Sequence, residues 1–335
     1  MAKVIEEEAA ALPLQAGEAV VHRGISVTPL FPAADPVCAY VSLAEASARG
    51  FTVKEVDEAG DVGEIVVINP TADRVLLYDG EEIAGAKQDR IINVAVLVEA
   101  GATVPVPVSC IEVGRWRYES DEFRPAGRTP APEVRRAKAM QLQSAPLARG
   151  VAQDAVWDAV ELKEARHGFR SGTSKHGDLI EHERPRLDDL AGAFPLQPGQ
   201  CGMVLGAGGR TVCLDAVSRP EVFARLHEAL LTGYMLDALH ELDGTPPPDD
   251  SAEAFLGAVA TARRTRGPAA GLGTDLRLAG TGVVGSGLEV EGELIQLTAF
   301  AGEESSDPSQ VAVSRIARPT RRWARCAAEG TVTSP

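Results

Sequence analysis

A succession of short strand-like segments constrains the fold of this chain more than any other feature. From Val20 to Trp116, apolar and β-branched residues occur in short runs separated by Gly, Pro, Asn or Asp. The runs read GISVTPLF, CAYVSL, FTVKEV, EIVVINP, RVLLYDG, RIINVAVLV and ATVPVPVSCIEV. Closely spaced short strands are typical of an antiparallel sandwich or barrel. One helix interrupts them, because Ser42 can cap Glu45 at its start and Gly50 can end it.

The last of these runs contains two prolines. Pro105 and Pro107 alternate with valines. Proline has no N–H to donate to a neighbouring strand, so the run is predicted to be an edge strand.

The second half of the chain mixes helical and hairpin patterns. Residues 120–131 are rich in Pro, Gly and Arg and are interpreted as a linker. Helices are predicted over 133–143, 151–167 and 178–193, with an interruption of the third at Pro185.

Two hairpin regions flank the longest predicted helix. Residues 199–217 form a predicted hairpin with 206–209 as its turn. Apolar residues recur at helical spacing over 221–242, which predicts a long amphipathic helix. Residues 272–300 again show glycine-rich strand patterns.

These patterns predict an α+β protein. Its N-terminal half is antiparallel and β-rich, either sandwich or barrel-like, and its C-terminal half mixes helices and hairpins. The predicted regions are 17–119 and 132–301, and residues 1–16 and 307–335 are predicted to be flexible tails.

The composition limits the compartment and the cofactors. The longest apolar runs are too short to span a bilayer, and MAKVIEEEAAALPL lacks the apolar core of a secretory signal. A cytoplasmic protein without a membrane partner is therefore expected. Five widely spaced cysteines form no CxxC pair, which indicates free thiols and no zinc site. No metal ligands are assigned, and the cofactor, if any, remains unknown.

The charge limits the partners. A formal net charge of −15 opposes binding of nucleic acid polymers, whose affinity comes largely from neutralised phosphates. A small anionic ligand is compatible with this charge, because a local cluster of cations can act against the global field. A homo-oligomer or a protein partner remains open.

The segment 78–118 carries the candidate site. Polar residues placed between apolar strands are costly unless they are hydrogen-bonded or functional. Glu82 is a candidate general base, and Lys87 is a candidate catalytic cation. Arginine binds phosphate and carboxylate groups in bidentate fashion, and tryptophan can stack on a base or ribose. The predicted ligand-binding residues are Gln88, Arg90, Glu112, Arg115 and Trp116.

The remaining cysteine and histidine candidates are interpreted as structural or surface residues. Cys110 has no histidine nearby in sequence and is interpreted as a packing residue. Two histidines of the long helix, His227 and His240, are interpreted as peripheral. The histidines interpreted as solvated loop residues are His167, His176 and His182.

Several sequence blocks together resemble one family. They read VSLAEASARGFTVKEV, YDGEEIAGAKQDRIIN, VPVSCIEVGRW, GMVLGAGGRTVCLDAV and FARLHEALLTGYMLDAL. The chain is similar over 17–300 to the ARG-and-rhodanese-phosphatase-superfamily-associated protein domain, which usually carries Asn at the position of Asp89. The resemblance implies genes that neighbour ADP-ribosylglycohydrolases and rhodanese-like phosphatases, in prokaryotic conflict or nucleotide-linked systems. It implies no established activity.

Two functional hypotheses follow. In the first, the protein binds, and in one version processes, a small phosphorylated or ADP-ribose-like ligand at the motif; whether it is an enzyme is left open. In the second, it is a non-enzymatic interaction or self-assembly protein, and the polar motif is a structural network.

Overall fold

The computed structural model describes residues 12–144 and 152–302. Residues 1–11 of the first predicted tail, and all of the second at 307–335, lie outside the described residues. Leu14–Ala16 (β1), which falls within the first predicted tail, is a paired strand.

The chain forms strands, then helices, then both. Up to residue 125 the elements are β1 (Leu14–Ala16), β2 (Val20–His22), β3 (Ile25–Pro32), β4 (Val41–Ser42), α1 (Leu43–Ser47), β5 (Thr52–Glu55), β6 (Glu64–Ile68), β7 (Val75–Leu77), β8 (Glu82–Gly85), β9 (Arg90–Ile92), β10 (Val96–Val98), β11 (Thr103–Cys110) and β12 (Phe123–Pro125). Three helices follow: α2 (Pro132–Ser144), α3 (Ala152–Arg166) and α4 (His176–Ala191). The remaining elements are β13 (Gly202–Ala207), β14 (Arg210–Val217), α5 (Pro220–Ala238), α6 (Ser251–Thr261), β15 (Arg263–Pro268), β16 (Thr274–Gly280), β17 (Val283–Val290) and β18 (Glu293–Ala301). The predicted α+β class is confirmed.

Six strands of the β-rich half close into a barrel, which is one of the two architectures predicted for it. Its strand order is β11-β6-β5-β12-β8-β9, and β9 pairs back onto β11. Alternate residues of β6, such as Ile65 and Val67, are fully buried inside it. The predicted cap of α1 is confirmed, since the Glu45 N–H donates to Ser42 Oγ at 3.3 Å.

A nine-stranded sheet combines strands from before the barrel with strands from the C-terminal half. Its main order is β1-β3-β13-β14-β18-β17-β16-β15, and β2 also pairs with β3. The N-terminal strands therefore complete the sheet of the C-terminal half. Helices α4 and α5 pack on one face and α6 on the other. A small sheet, β10-β7-β4, contains one parallel pair.

The segment predicted as a linker is part of the barrel. Within 120–131, β12 pairs with both β5 and β8, and Phe123 is buried. A single apolar side chain between charged neighbours gives no periodicity, so the linker interpretation was wrong at this point.

Two proline-based predictions also need correction. Strand β11 has neighbours on both sides, but Pro105 and Pro107 lie where only β6 pairs with it. The prolines thus occupy a locally unpaired edge of a strand that is otherwise inside the barrel. Pro185 does not interrupt α4, which continues through it.

The long helix α5 is central to the structure. Phe223, Leu226, Leu230 and Leu239 belong to one buried cluster, as the helical spacing predicted. The helix ends at Ala238, short of the predicted end at 242. None of the helices in the described ranges combines the length and apolarity needed to cross a bilayer.

Candidate functional site

A tight turn between β8 and β9 positions the motif residues. Gly85 has a φ of 117°, and a Cβ atom there would lie 2.5 Å from Ser120 Oγ. Only glycine fits both the left-handed backbone and this close approach. The Gly85 N–H donates to Asp89 Oδ1 at 3.0 Å, which closes the turn.

Three cations converge on the carboxylate of Asp89. Arg115 Nη2 lies 3.1 Å from Oδ1, Lys175 Nζ lies 3.0 Å from Oδ2, and Arg128 Nη2 lies 3.5 Å from Oδ2. Burial and the neighbouring charge of Glu82 nevertheless raise the pKa of Asp89 above its ordinary value. We call the surrounding group the Asp89 cluster; it consists of Glu82, Asp89, Glu112, Arg115, Arg128, Lys175 and His176.

Glu82 lies at the inner end of this cluster. Its carboxylate is fully buried and lies 2.6 Å from Arg128 Nη2 and 3.3 Å from His176 Nδ1. Burial alone raises the pKa of Glu82, but Arg128 and His176 outweigh it and bring that pKa to about 2. His176 is also fully buried, and its Nε2 has no hydrogen-bond partner among the described residues.

Glu112 forms the other side of the cluster. Its carboxylate lies 2.8 Å from Arg115 Nη2 and accepts a hydrogen bond from the Thr173 hydroxyl at 3.0 Å. The Asp89 N–H donates to it at 3.3 Å. Gln88 is buried next to this side and donates from Nε2 to the Val113 carbonyl at 3.3 Å.

Lys87 lies on the opposite side of the turn, between two aromatic rings. Its Nζ donates to the Ala59 carbonyl at 2.6 Å and lies 5.5 Å from the ring centroid of Trp116 and 5.0 Å from that of Tyr118. Trp116 is 38% exposed and Tyr118 is 46% exposed. Lys87 thus binds the loop before β6 through a backbone carbonyl and lies over two partly exposed aromatic rings.

Arg90 is fully buried on the same side as Lys87. It donates to the Val62 carbonyl at 3.1 Å and to Cys110 Sγ, and it lies 3.5 Å from Glu55. Its guanidinium carbon lies 5.4 Å from the ring centroid of Trp116. Burial raises the pKa of Cys110 to about 12, which agrees with its interpretation as a packing residue and not a nucleophile.

The structure therefore divides the predicted site residues into two groups. Glu82, Glu112 and Arg115 meet in the Asp89 cluster, with Gln88 at its edge. Lys87, Arg90 and Trp116 meet on the other side of the turn. Their catalytic and ligand-binding roles stay predictions.

Four members of the cluster were missed by sequence reasoning: Asp89 lies within the motif itself, and the other three lie elsewhere in the chain. Arg128 comes from the segment predicted to be a linker, and Lys175 and His176 come from the start of α4. His176 was interpreted as a solvated loop histidine, which is wrong, since it is fully buried. No local pattern signals Arg128, Lys175 or His176, because the fold alone brings them to the motif.

A second buried network lies next to α2. Arg135 Nη2 lies 2.6 Å from Asp215 Oδ1, and both side chains are fully buried. Tyr234 and Thr298 donate to the same carboxylate at 2.6 and 2.7 Å, and Tyr78 also donates to it. This Asp215 network ties the small sheet, α2, α5 and the nine-stranded sheet together.

Glu81 gives a pH-dependent prediction. Burial raises its pKa to about 7, and the one opposing contact is a hydrogen bond from the Tyr78 N–H. A raised pKa in the folded state means that the protonated form is favoured. The associated stability is present below the ordinary value of 4.5 and is lost as the pH rises through about 7.

Glu81→Gln is therefore expected to raise the free energy of unfolding at pH 8 by about 3 kcal/mol and to leave it nearly unchanged at pH 4.5. Urea unfolding at the two pH values measures this difference, with the exposed Glu18→Gln as the control. An equal effect of Glu81→Gln at both pH values would contradict the buried, protonated state.

Metal ligands are not grouped in the described parts of the chain. Within 12–144 and 152–302, no three His, Cys, Asp or Glu side chains are placed to hold a metal ion.

Comparisons with known proteins place the chain in a family. No curated protein and no solved structure was found to match it. One family model matches residues 13–300, which include every residue of the Asp89 cluster. The chain belongs to the family of the ARG and Rhodanese-Phosphatase-superfamily-associated Protein domain.

Proposed function

We propose that the protein binds a small phosphorylated ligand of the nucleotide or ADP-ribose class at the outer side of the Asp89 cluster. The observation that carries the proposal is the convergence of Arg115, Arg128 and Lys175 on the one carboxylate of Asp89. Arginine and lysine in this arrangement suit the oxygens of a phosphate group. We further propose a cytoplasmic location within a prokaryotic nucleotide-linked or conflict system.

The exposure of the cluster favours an anion over a cation. The side chain of Lys175 is 23% exposed and that of Arg128 is 13% exposed, whereas Glu82 and Asp89 are fully buried. A ligand approaching from solvent therefore meets the cations first. The positive potential of these cations outweighs the repulsion from the net charge of −15 at short distance, because salt screens the more distant charges.

The aromatic residues support a ligand that carries a base. The Gly114 N–H donates to the Thr173 carbonyl at 2.9 Å, which holds the segment before Trp116 beside the segment that carries Lys175. Trp116 and Tyr118 follow in that segment and are partly exposed, on the side of the turn that carries Lys87, so a ligand with a base would extend across the turn to reach them. Such rings stack on a base or ribose. The family description, which names an association with the rhodanese-phosphatase superfamily, agrees with a phosphorylated ligand.

Processing of the ligand would use the pair formed by Glu82 and His176. A carboxylate beside Nδ1 orients the ring and favours a proton there. The unpartnered Nε2 is then an acceptor, and because it is fully buried it can act as a general base only on a group that reaches the inner end of the cluster.

The central test is Asp89→Asn. This change keeps the shape of the side chain but removes the internal counter-charge of Lys175 and Arg128. We expect the Kd for ADP-ribose to fall about tenfold, equivalent to about 1.4 kcal/mol. Isothermal titration calorimetry at pH 7 measures the change.

Two further variants control this test. Lys175→Met is expected to weaken ADP-ribose binding, because it removes the most exposed cation of the cluster. Asp73→Asn, at an exposed carboxylate paired with Arg49, is expected to have no effect. Absence of ADP-ribose binding in both the unmodified protein and Asp89→Asn would refute this ligand class.

The second candidate is a non-enzymatic interaction or self-assembly function. It is favoured by the complete burial of Glu82, Asp89 and Arg90, each of which already has partners inside the protein. Lys175→Met distinguishes the candidates: loss of ADP-ribose binding in the variant supports the first, whereas no ADP-ribose binding by either protein and an assembly state that the change leaves unaltered in light scattering support the second.

A further inference from the structure

A cavity of about 430 Å³ lies apart from the Asp89 cluster, none of whose residues lines it. It is bounded by α2, α3, the end of α5 and the β13–β14 hairpin. Four cationic side chains line it: Arg136, Lys163, Arg166 and Arg210. A concave space with several convergent cations is the usual form of a small-anion site.

Three carboxylates, Glu133, Asp237 and Glu241, also line the cavity, and the first two pair with its cations. Lys163 Nζ lies 2.6 Å from Glu133 and 2.5 Å from Asp237, and Arg166 lies 2.7 Å from Glu133. Neither Arg136 nor Arg210 has a carboxylate within ion-pair distance among the described residues.

The Nε of Arg136 is buried and has no hydrogen-bond partner in the described part of the chain. A buried donor without an acceptor is costly. A bound anion at this end of the cavity would supply the missing acceptor.

A row of three hydrogen-bonding side chains, one carboxylate and two histidines, ends at the same cavity. His167 Nδ1 lies 3.0 Å from Glu183 Oε1, and His167 Nε2 lies 3.1 Å from His240 Nε2. His240 lines the cavity. We call Glu183, His167 and His240 the histidine relay.

The relay fixes the tautomers of both rings. A carboxylate next to His167 Nδ1 requires an N–H there, so Nε2 of a neutral His167 is an acceptor. His240 must then donate from its own Nε2. The Nδ1 of a neutral His240 therefore carries the lone pair and can take up a proton.

Both signs of charge surround His240. Lys163 and Arg166 face it from α3, Asp237 faces it from α5, and His167 faces it through the relay. The cavity is also lined by Glu133 and Arg136 of α2, by Arg210 of the hairpin and by Glu241. Burial first, and then the charges of neighbouring cations such as Lys163 and Arg166, lower the pKa of His240. A dianion bound between these cations would offset their effect and favour protonation.

We propose that this cavity is a second ligand site, which takes a phosphate or pyrophosphate group between Arg136 and Arg210 and couples its binding to proton uptake by His240. The proposal is independent of the Asp89 cluster, since the two sites share no residue. It assigns a role to two histidines that the sequence indicated to be peripheral or solvated.

Pyrophosphate is the probe that tests the proposal, in calorimetry on the full-length protein at pH 7. Two phosphate-free buffers of different ionisation enthalpy report the protons taken up. Arg136→Gln and Arg210→Gln are each expected to weaken binding by about tenfold or more. Arg225→Gln, at an exposed arginine of α5 outside the cavity, is the matched control and should bind as the unmodified protein does.

His240→Gln is expected to bind pyrophosphate without proton uptake. Lys175→Met is expected to leave pyrophosphate binding at the cavity unchanged, which separates this proposal from the one above. The proposal is overturned if the unmodified protein does not bind pyrophosphate, if both cavity arginine variants bind normally, or if proton uptake persists in His240→Gln.

Discussion

Replacing Asp215 by alanine is expected to lower the free energy of unfolding by about 3–5 kcal/mol, which is the usual cost of removing one partner of a buried ion pair. Arg135 contacts both carboxylate oxygens of Asp215, at 2.8 and 2.6 Å. Tyr234 and Thr298 lose their acceptor at the same time. The typical stability of a domain is about 5–15 kcal/mol, so this single change brings the protein close to unfolding.

Urea unfolding at pH 7 measures this loss, with the exposed Asp189→Ala as the control. A double variant, Arg135→Met with Asp215→Leu, tests the cause. It removes both buried charges and is expected to be more stable than Asp215→Ala alone, because no guanidinium is left unpaired. A loss below about 1 kcal/mol in Asp215→Ala would show that water or rearrangement replaces the carboxylate.

Leu230→Ala is expected to cost about 2–5 kcal/mol, since truncation of a buried leucine adds a cavity to the lost transfer free energy. Leu230 is fully buried in the cluster that joins α5 to the nine-stranded sheet. Thermal and urea unfolding measure the effect. Arg225→Ala, at an exposed position on the same helix, is the control and should stay within about 0.5 kcal/mol of the unmodified protein.

An effect of Leu230→Ala below about 0.5 kcal/mol would contradict the enclosed position of this face of α5. The comparison with Asp215→Ala is informative because both changes act on contacts of α5. One removes dispersion contacts and the other removes hydrogen bonds. The two losses should be nearly additive only if the cluster and the network respond separately.

The fold could be predicted where the sequence carries a period. Alternating residues in β6 and helical spacing in α5 both place a row of apolar side chains on one face, and both elements form as predicted. The strand β12 could not be found in this way, because three residues are too few to show a period. The pairing of β3 with β13 could not be found either, since it joins segments that are distant in sequence.

The position of the candidate site in the sequence could be predicted, but the grouping of its side chains could not. The concentration of polar residues between strands pointed to the β8–β9 turn, and the structure shows why the group divides there. Asp89 and Arg90 are adjacent, and their side chains contact opposite partners: Lys175 for the first and Glu55 for the second. The side of a strand on which a partner lies depends on tertiary structure, so the two groups could not be separated in advance.

The order of the strands in the nine-stranded sheet has a consequence for synthesis on the ribosome. The first strands of this sheet, β1, β2 and β3, end at Pro32, and the next strand, β13, begins only at Gly202. The whole barrel is made in between, and it can close while β3 still lacks its second neighbour. An unpaired strand edge of this kind is a site for pairing with other chains. The nascent protein therefore passes through a stage in which its own N-terminal strands need protection from aggregation, until the hairpin of β13 and β14 has emerged.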